Sequence, residues 1–267
     1  MKNSVERKRF PEIDVLRGLA VAGMVVYHLL FDLNLADITK FDIYNPIFEV
    51  LADVTAATFF VIVGVSMYVS FYRLLTESKS RKARLRKYVT RGLKLFGLGL
   101  IISAVSYFIY PEYLIVFGAL HFIGVSVILA YFSLELTMDS GAIKRILALS
   151  VFSVAAILLA VPVRSVEVGQ PFLIWIGLVP AGFQSLDFFP LLPWFGFVTS
   201  GLVLGESLYP EGKRRYSFYE LGNKPAQFLG RNSLLIYFLH QPAIYFGVAL
   251  FALLAGKNGF ADIINFS

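Results

Sequence analysis

The sequence of 267 residues contains no cysteine, which excludes disulfide bonds, thiolate metal ligands, cysteine nucleophiles and palmitoylation. It is also poor in charge, because Asp, Glu, Lys and Arg make up only 16% of the residues, against about 25% in soluble domains. Hydrophobic residues reach 57%, above the usual range of roughly 45–50%. This composition excludes an ordinary soluble globule and indicates an integral membrane protein.

Several motifs of soluble enzymes are missing as well. The chain has no Walker loop, no G-x-G-x-x-G and no G-x-S-x-G, so the signatures of nucleotide hydrolysis and serine hydrolases are lacking. The three histidines are never three or four residues apart, and we expect no metal site. The net charge of +6 comes from short basic segments without a recognisable reading element, so we expect no nucleic-acid partner.

The apolar residues form seven segments long enough to cross a membrane at about 20 residues each. They are residues 13–33, 47–72, 92–110, 114–134, 146–163, 188–208 and 228–254. An eighth segment, residues 171–183, is short and contains Gly177, Pro180 and Gly182, so we predict a re-entrant or interfacial segment. The predicted fold is an all-α polytopic transmembrane bundle, with residues 1–267 forming one membrane domain.

The basic residues set the expected orientation. With the N-terminus in the cytoplasm, the inner segments and inner span ends hold 21 of the 24 basic residues. Only Lys40, Arg164 and Lys257 fall outside, which predicts a cytoplasmic N-terminus and an external C-terminus in the cell membrane, surrounded by lipids. We do not expect a cleaved signal peptide, because Arg17 and His28 interrupt the first apolar stretch.

The first span carries four ionisable residues, each costing roughly 2.5–3.5 kcal/mol on insertion scales. Asp14, Arg17 and Asp32 each lie within about 40° of His28 around a helix. They form a polar stripe about 27 Å long. Asp14 and Arg17 are spaced for a structural i,i+3 ion pair. The i,i+4 spacing of His28 and Asp32 suits a catalytic dyad, a structural hydrogen bond, or an Asp32 solvated at the interface.

Two other spans contain a histidine. His121 has small neighbours, which permit close approach of a helix or a ligand, and a packing role is the alternative. His240 belongs to a stripe with Ser233, Tyr237 and Gln241, and Pro242 favours a kink beside it. Such kinks often line cavities, although a purely structural role is equally open.

The longest basic segment precedes the third span. It ends in Arg91 and Lys94, and residues 73–94 contain nine basic residues and one acidic residue. Attraction to anionic lipids explains such a segment. The alternative is a grip on a phosphorylated cytoplasmic ligand by Arg91 and Lys94.

The opening EIDVLRGLAVAGMVVYHLLFDL resembles that of the membrane acetyltransferases related to heparan-alpha-glucosaminide N-acetyltransferase, in particular their small prokaryotic branch. A similar D-x-x-R-G-L-A opening marks the wider membrane acyltransferase superfamily. Four further segments carry the resemblance over most of the chain: residues 91–94, 118–124, 187–196 and 229–242.

The resemblance implies transfer of an acetyl group from cytoplasmic acetyl-CoA to an acceptor across the membrane, with an essential histidine. His28 is then the candidate base or acyl carrier, oriented by Asp32. Phosphates of CoA would contact Arg17, Arg91, Lys94 and Arg231. The substrate cavity would include Asp14, His121, Tyr237, His240 and Gln241.

The sequence thus predicts an acetyl-CoA-dependent N- or O-acetyltransferase acting on an extracytoplasmic sugar or glycan. Two alternatives from other classes remain, a transporter or channel for a small polar solute and an accessory scaffold for envelope assembly. A homodimer is a further open possibility.

Overall fold

The computed structural model describes residues 9–36, 38–40, 45–109, 111–216 and 223–254. Some residues used in the predictions lie outside these ranges. They are Lys2, Arg7, Lys8 and Lys257, which contribute to the predicted orientation, and position 110, the predicted end of the third span. The chain forms two compact units, residues 1–59 with 218–267 and residues 60–217. The boundary falls within the second helix.

Helices make up the regular structure of both units, and no strand occurs in the described ranges. In the first unit, α1 (Pro11–Leu35) packs against α7 (Lys224–Arg231) and α8 (Ser233–Leu254). In the second unit, α3 (Arg81–Ile109) pairs with α4 (Ala119–Thr137), and α5 (Ala142–Arg164) pairs with α6 (Leu191–Leu208). The remaining helix, α2 (Pro46–Thr76), contributes to both units.

Seven of the described helices are long and apolar enough to cross a membrane, which confirms the predicted number of spans. The third begins at Arg81 instead of position 92, because its basic first turns remain helical. The seventh predicted span is divided at Asn232 into the short α7 and the membrane-length α8. The Asn223 side chain caps α7 by accepting a hydrogen bond from the Ala226 amide at 3.0 Å.

Residues 171–183 form no membrane-spanning helix, as predicted from their length. They contain a single 3-10 turn, Pro171–Leu173, followed by other turns. The segment then lies alongside the start of α6, where the Leu191 amide donates to the Trp175 carbonyl at 2.8 Å. The Leu192 amide likewise donates to the Ile176 carbonyl at 3.1 Å. These bonds satisfy backbone polar groups that an irregular segment would otherwise leave unpaired.

Glycines set the closest helix contacts in each unit. A methyl group at Gly18 of α1 would overlap the Ala226 carbonyl, and one at Gly230 of α7 would overlap the Asp14 carbonyl. In the second unit, Gly201 and Gly205 form a G-x-x-x-G segment and pack directly against α2. Membrane helices use such residues to bring their backbones together.

Two buried ion pairs repeat the same arrangement in the second unit. Arg84 near the start of α3 binds Glu135 near the end of α4, with a shortest distance of 2.6 Å from Nη2 to Oε1. Arg145 near the start of α5 binds Glu206 near the end of α6, at 2.6 Å from Nε to Oε2. Each helix pair is therefore joined at one end by a charged contact.

Aromatic residues near the end of α2 lie close to the guanidinium groups of both arginines. The guanidinium of Arg84 lies 5.6 Å from the ring centre of Phe71. That of Arg145 lies 5.5 Å from the ring centre of Tyr72. Consecutive residues of one helix thus make cation–π contacts with two different helix pairs, which helps to balance the buried charges.

Candidate active site

The N-terminal part of the α1 stripe is an ion cluster between α1 and α7. The buried Asp14 carboxylate lies 3.0 Å from Arg17 Nη1 and 3.4 Å from Arg231 Nε. Arg17 Nη1 also donates to the Gly230 carbonyl at 3.4 Å. The structure therefore brings together three predicted site residues, and the aspartate balances both arginines. The i,i+3 pair of Asp14 and Arg17 forms as the spacing indicated.

Further along the stripe, His28 of α1 meets His240 of α8. Their ring centres are 5.0 Å apart and the rings are inclined by 54°. Both side chains are half-buried, and Tyr237 lies beside His240 with ring centres 5.8 Å apart. Two of the three histidines of the sequence therefore face each other within one unit, on helices that are separated by some 200 residues of chain.

The neighbouring Asp32 is held by Gln241. Gln241 Nε2 donates to both carboxylate oxygens of the buried Asp32, at 3.1 and 3.3 Å. Within the described ranges no hydrogen bond joins Asp32 to His28. The i,i+4 spacing places the two residues on one helix face, but the aspartate contacts α8 instead of the imidazole. His28, Asp32, His240 and Gln241 form what we call the α1–α8 polar cluster.

His121 lies in the second unit, where it caps α4. Its Nδ1 accepts a hydrogen bond from the Gly118 amide at 3.2 Å, and its Nε2 lies 3.4 Å from Ser103 Oγ. The Asp187 carboxylate accepts from the Ala119 amide at 3.0 Å. Two amides at the start of α4 are thereby satisfied, and His121 itself is fully buried. The predicted cavity role of His121 stays a prediction beside this structural one.

Replacing His121 with Phe should keep the ring packing against Phe96 and Phe117 but remove both hydrogen bonds. We expect a loss of about 1–3 kcal/mol in the free energy of unfolding, because the buried Gly118 amide loses its acceptor. Thermal unfolding in detergent measures this loss of stability. The matched control is Phe132→Leu on the exposed face of α4, which should unfold at the wild-type temperature; equal stability of the two variants would contradict the cap.

The remaining predicted phosphate contacts lie on α3. Arg91 and Lys94 are both exposed. Neither makes an ion pair or side-chain hydrogen bond in the part of the chain that the structure describes. They differ in this respect from Arg17 and Arg231, whose charges Asp14 already balances.

Three acidic residues with clear partners had no assigned role in the sequence. Glu135 and Glu206 complete the buried ion pairs, and Asp187 caps α4. The sequence feature that indicates such a role is an acidic residue near the end of an apolar span, because a lone carboxylate there needs a partner.

Residues 9–242 match the family described as "Heparan-alpha-glucosaminide N-acetyltransferase, catalytic". The match covers most of the chain and includes every member of the α1–α8 polar cluster. The protein therefore belongs to this family, and it is an acyltransferase with membrane-spanning helices. Comparison with curated proteins and with solved structures found no match.

Proposed function

We propose that this protein transfers an acetyl group from cytoplasmic acetyl-CoA to an extracytoplasmic sugar or glycan, with His28 as base or acyl carrier. Family membership supports the acetyltransferase, and the family description supports a glycan acceptor. The proposed setting is the cell membrane, with the N-terminus inside and the C-terminus outside. The whole chain, residues 1–267, is proposed to act as one membrane domain.

The observation that carries this proposal is the α1–α8 polar cluster. It places two imidazoles, a carboxylate and an amide together on two membrane-length helices. Ionisable groups inside a membrane are costly and are retained mainly where they serve a function. Neither ring nitrogen of His28 has a hydrogen-bond partner in the described ranges, so the imidazole is available to a substrate.

His28 could serve the transfer in two ways. As an acyl carrier, a ring nitrogen attacks the thioester carbonyl, the carbon–sulfur bond breaks, and CoA leaves as a thiol with the proton that the imidazole ring gives up. The acetyl group then passes to the acceptor and the imidazole is restored. As a base, His28 instead takes a proton from the acceptor while the acceptor attacks the thioester directly. Asp32 would act through Gln241 by fixing α8 beside His28.

Acetyl-CoA is the proposed acyl donor, and the exposed cations of α3 suit its phosphates. Arg91 and Lys94 lie one turn apart where the apolar part of α3 begins, and they have no acidic partner among the described residues. Free guanidinium and ammonium groups form strong charge-assisted hydrogen bonds with phosphate. Arg17 and Arg231 would bind phosphate only in competition with Asp14, so we assign the larger part of donor affinity to α3.

The test uses purified protein in detergent with acetyl-CoA labelled in the acetyl group. Wild type should bind acetyl-CoA saturably and transfer the label, with D-glucosamine and D-glucose as probe acceptors. His28→Ala should bind the donor with wild-type affinity and lose transfer by at least about 100-fold, the usual contribution of such a group. Transfer at the wild-type rate by this variant would overturn the role of His28.

Arg91→Ala should weaken acetyl-CoA binding by about tenfold, since a charge-assisted hydrogen bond contributes about 1.5 kcal/mol or more. The matched control is Arg86→Ala, an exposed cation on the same helix. Equal loss in both variants would indicate a general charge effect instead of a phosphate contact. Absence of acetyl-CoA binding in folded wild type would contradict the proposed function and favour a transporter.

A further inference from the structure

Two adjacent residues of α8 each present a buried polar atom without a partner. His240 Nε2 and Gln241 Oε1 are inaccessible to solvent, and neither makes a hydrogen bond within the described ranges. A buried polar atom that is left unpaired destabilises the folded protein. Both side chains contact the α1 stripe, His240 at His28 and Gln241 at Asp32. Unpaired atoms in such a position point to a ligand.

The hydrogen-bond partners of His240 determine which of its nitrogens carries the proton. Its Nδ1 lies 2.7 Å from the backbone carbonyl oxygen of Tyr237. A carbonyl oxygen only accepts hydrogen bonds, so Nδ1 must carry the hydrogen. In the neutral ring, Nε2 is then the unprotonated nitrogen with a free lone pair. The unpartnered nitrogen of His240 is therefore a base.

The orientation of Gln241 follows by the same reasoning. The Asp32 carboxylate accepts hydrogen bonds, so the amide must direct Nε2 towards it and Oε1 away. Both unpartnered atoms, His240 Nε2 and Gln241 Oε1, are consequently acceptors. The group that satisfies them must supply N–H or O–H hydrogens. A thioester has none, whereas an amine or a hydroxyl group that awaits acetylation has at least one.

We infer that His240 is a second catalytic residue, which binds the acetyl acceptor through Nε2 and takes the proton from its amine or hydroxyl group. This inference rests on the proposed acetyl transfer. It assigns the base to α8 and leaves His28, 5.0 Å away between ring centres, as the acyl carrier. The Tyr237 carbonyl is then a positioning group, because it holds His240 in the basic tautomer.

The proposed step is balanced. The lone pair of the acceptor nitrogen or oxygen attacks the acetyl carbonyl carbon, and a new carbon–nitrogen or carbon–oxygen bond forms. The bond from that carbon to the His28 nitrogen breaks. The proton of the acceptor passes to His240 Nε2 and from there to the departing His28 nitrogen. Both imidazoles return to their neutral forms, and no oxidant or reductant is required.

The tautomer can be measured without any activity. The chain has three histidines, so protein labelled with 15N-histidine gives few signals, and two-bond proton–nitrogen spectra distinguish the tautomers. At a pH where the rings are neutral, we expect hydrogen on Nδ1 in His240. His121 provides an internal contrast, because its Nδ1 accepts from Gly118 and its hydrogen belongs on Nε2. A His240 signal with hydrogen on Nε2 would overturn the inference.

The activity test uses His240→Asn, whose amide can still donate to the Tyr237 carbonyl but which lacks Nε2. We expect acetyl-CoA binding to remain at the wild-type level and transfer to D-glucosamine or D-glucose to fall at least about 100-fold. Comparing the two sugars separates an amine acceptor from a hydroxyl acceptor. The control is Phe246→Leu on the exposed face of α8, which should transfer at the wild-type rate.

The results separate this inference from the proposed function. Wild-type transfer together with full transfer by His240→Asn would overturn the role of His240 and leave the acetyltransferase standing. Absence of donor binding and transfer in folded wild type would overturn the proposed function, and with it the catalytic role of His240. The 15N spectra would still decide whether His240 presents a basic Nε2.

Discussion

Glu206→Ala is expected to lower the free energy of unfolding by about 3–5 kcal/mol, because it leaves the Arg145 guanidinium buried without its counter-ion. Arg145 binds both carboxylate oxygens, at 2.6 Å from Nε and 3.1 Å from Nη2. Its third nitrogen donates to the Met138 carbonyl at 3.0 Å, beyond the end of α4. The variant therefore disturbs the junction of three helices.

Thermal unfolding in detergent, followed by tryptophan fluorescence, measures this loss. The matched control is Glu211→Ala, which removes the same group from an ion pair with Lys213 at 3.7 Å. Both side chains of that pair are about three-quarters exposed, so the control should lose less than about 1 kcal/mol. Similar unfolding temperatures for the two variants would show that the buried pair contributes no more than an exposed one.

Gly230→Ala is expected to separate α7 from α1. The added methyl group would overlap the Asp14 backbone carbonyl, and the Gly18 amide nitrogen of the same helix also lies within 3.0 Å of it. We expect a loss of about 3 kcal/mol or more in the free energy of unfolding, as in severe overpacking of a core. Because Arg231 follows Gly230, its contact with the Asp14 carboxylate should be lost as well.

The control for this variant is Gly247→Ala in α8, where an added methyl group meets no described atom within 4 Å. Its unfolding temperature should stay close to that of wild type. Size-exclusion profiles and thermal unfolding in detergent give the comparison. Equal yield and stability of Gly230→Ala and Gly247→Ala would show that α1 and α7 do not pack this closely.

The number of spans was predictable, because a membrane-spanning helix requires a long apolar run that hydropathy detects. The ends of the helices were less predictable from the sequence. The start of α3 at Arg81 precedes its apolar run, since backbone hydrogen bonds continue through basic turns that face water. The interruption at Asn232 also lies within apparently continuous sequence, although Gly230 and Asn232 are both poor helix formers.

The candidate site was predictable as a stripe but not as a set of contacts. Helical periodicity places Asp14, Arg17, His28 and Asp32 on one face of α1, and the structure uses that face for contacts with α7 and α8. Periodicity does not show which partner each side chain selects. The pairing of Asp32 with Gln241, and the approach of His28 to His240, depend on packing between distant segments.

The repeated ion pairs also limit how the helices of the second unit can slide. Apolar helix faces in lipid are nearly interchangeable, so they define poorly which residue of one helix lies beside which residue of the next. Arg84 with Glu135, and Arg145 with Glu206, each fix this vertical register at one end of a helix pair. A shift by one turn, about 5.4 Å, would separate both buried arginines from their carboxylates. The two pairs thus select a single alignment out of several that would bury similar apolar area.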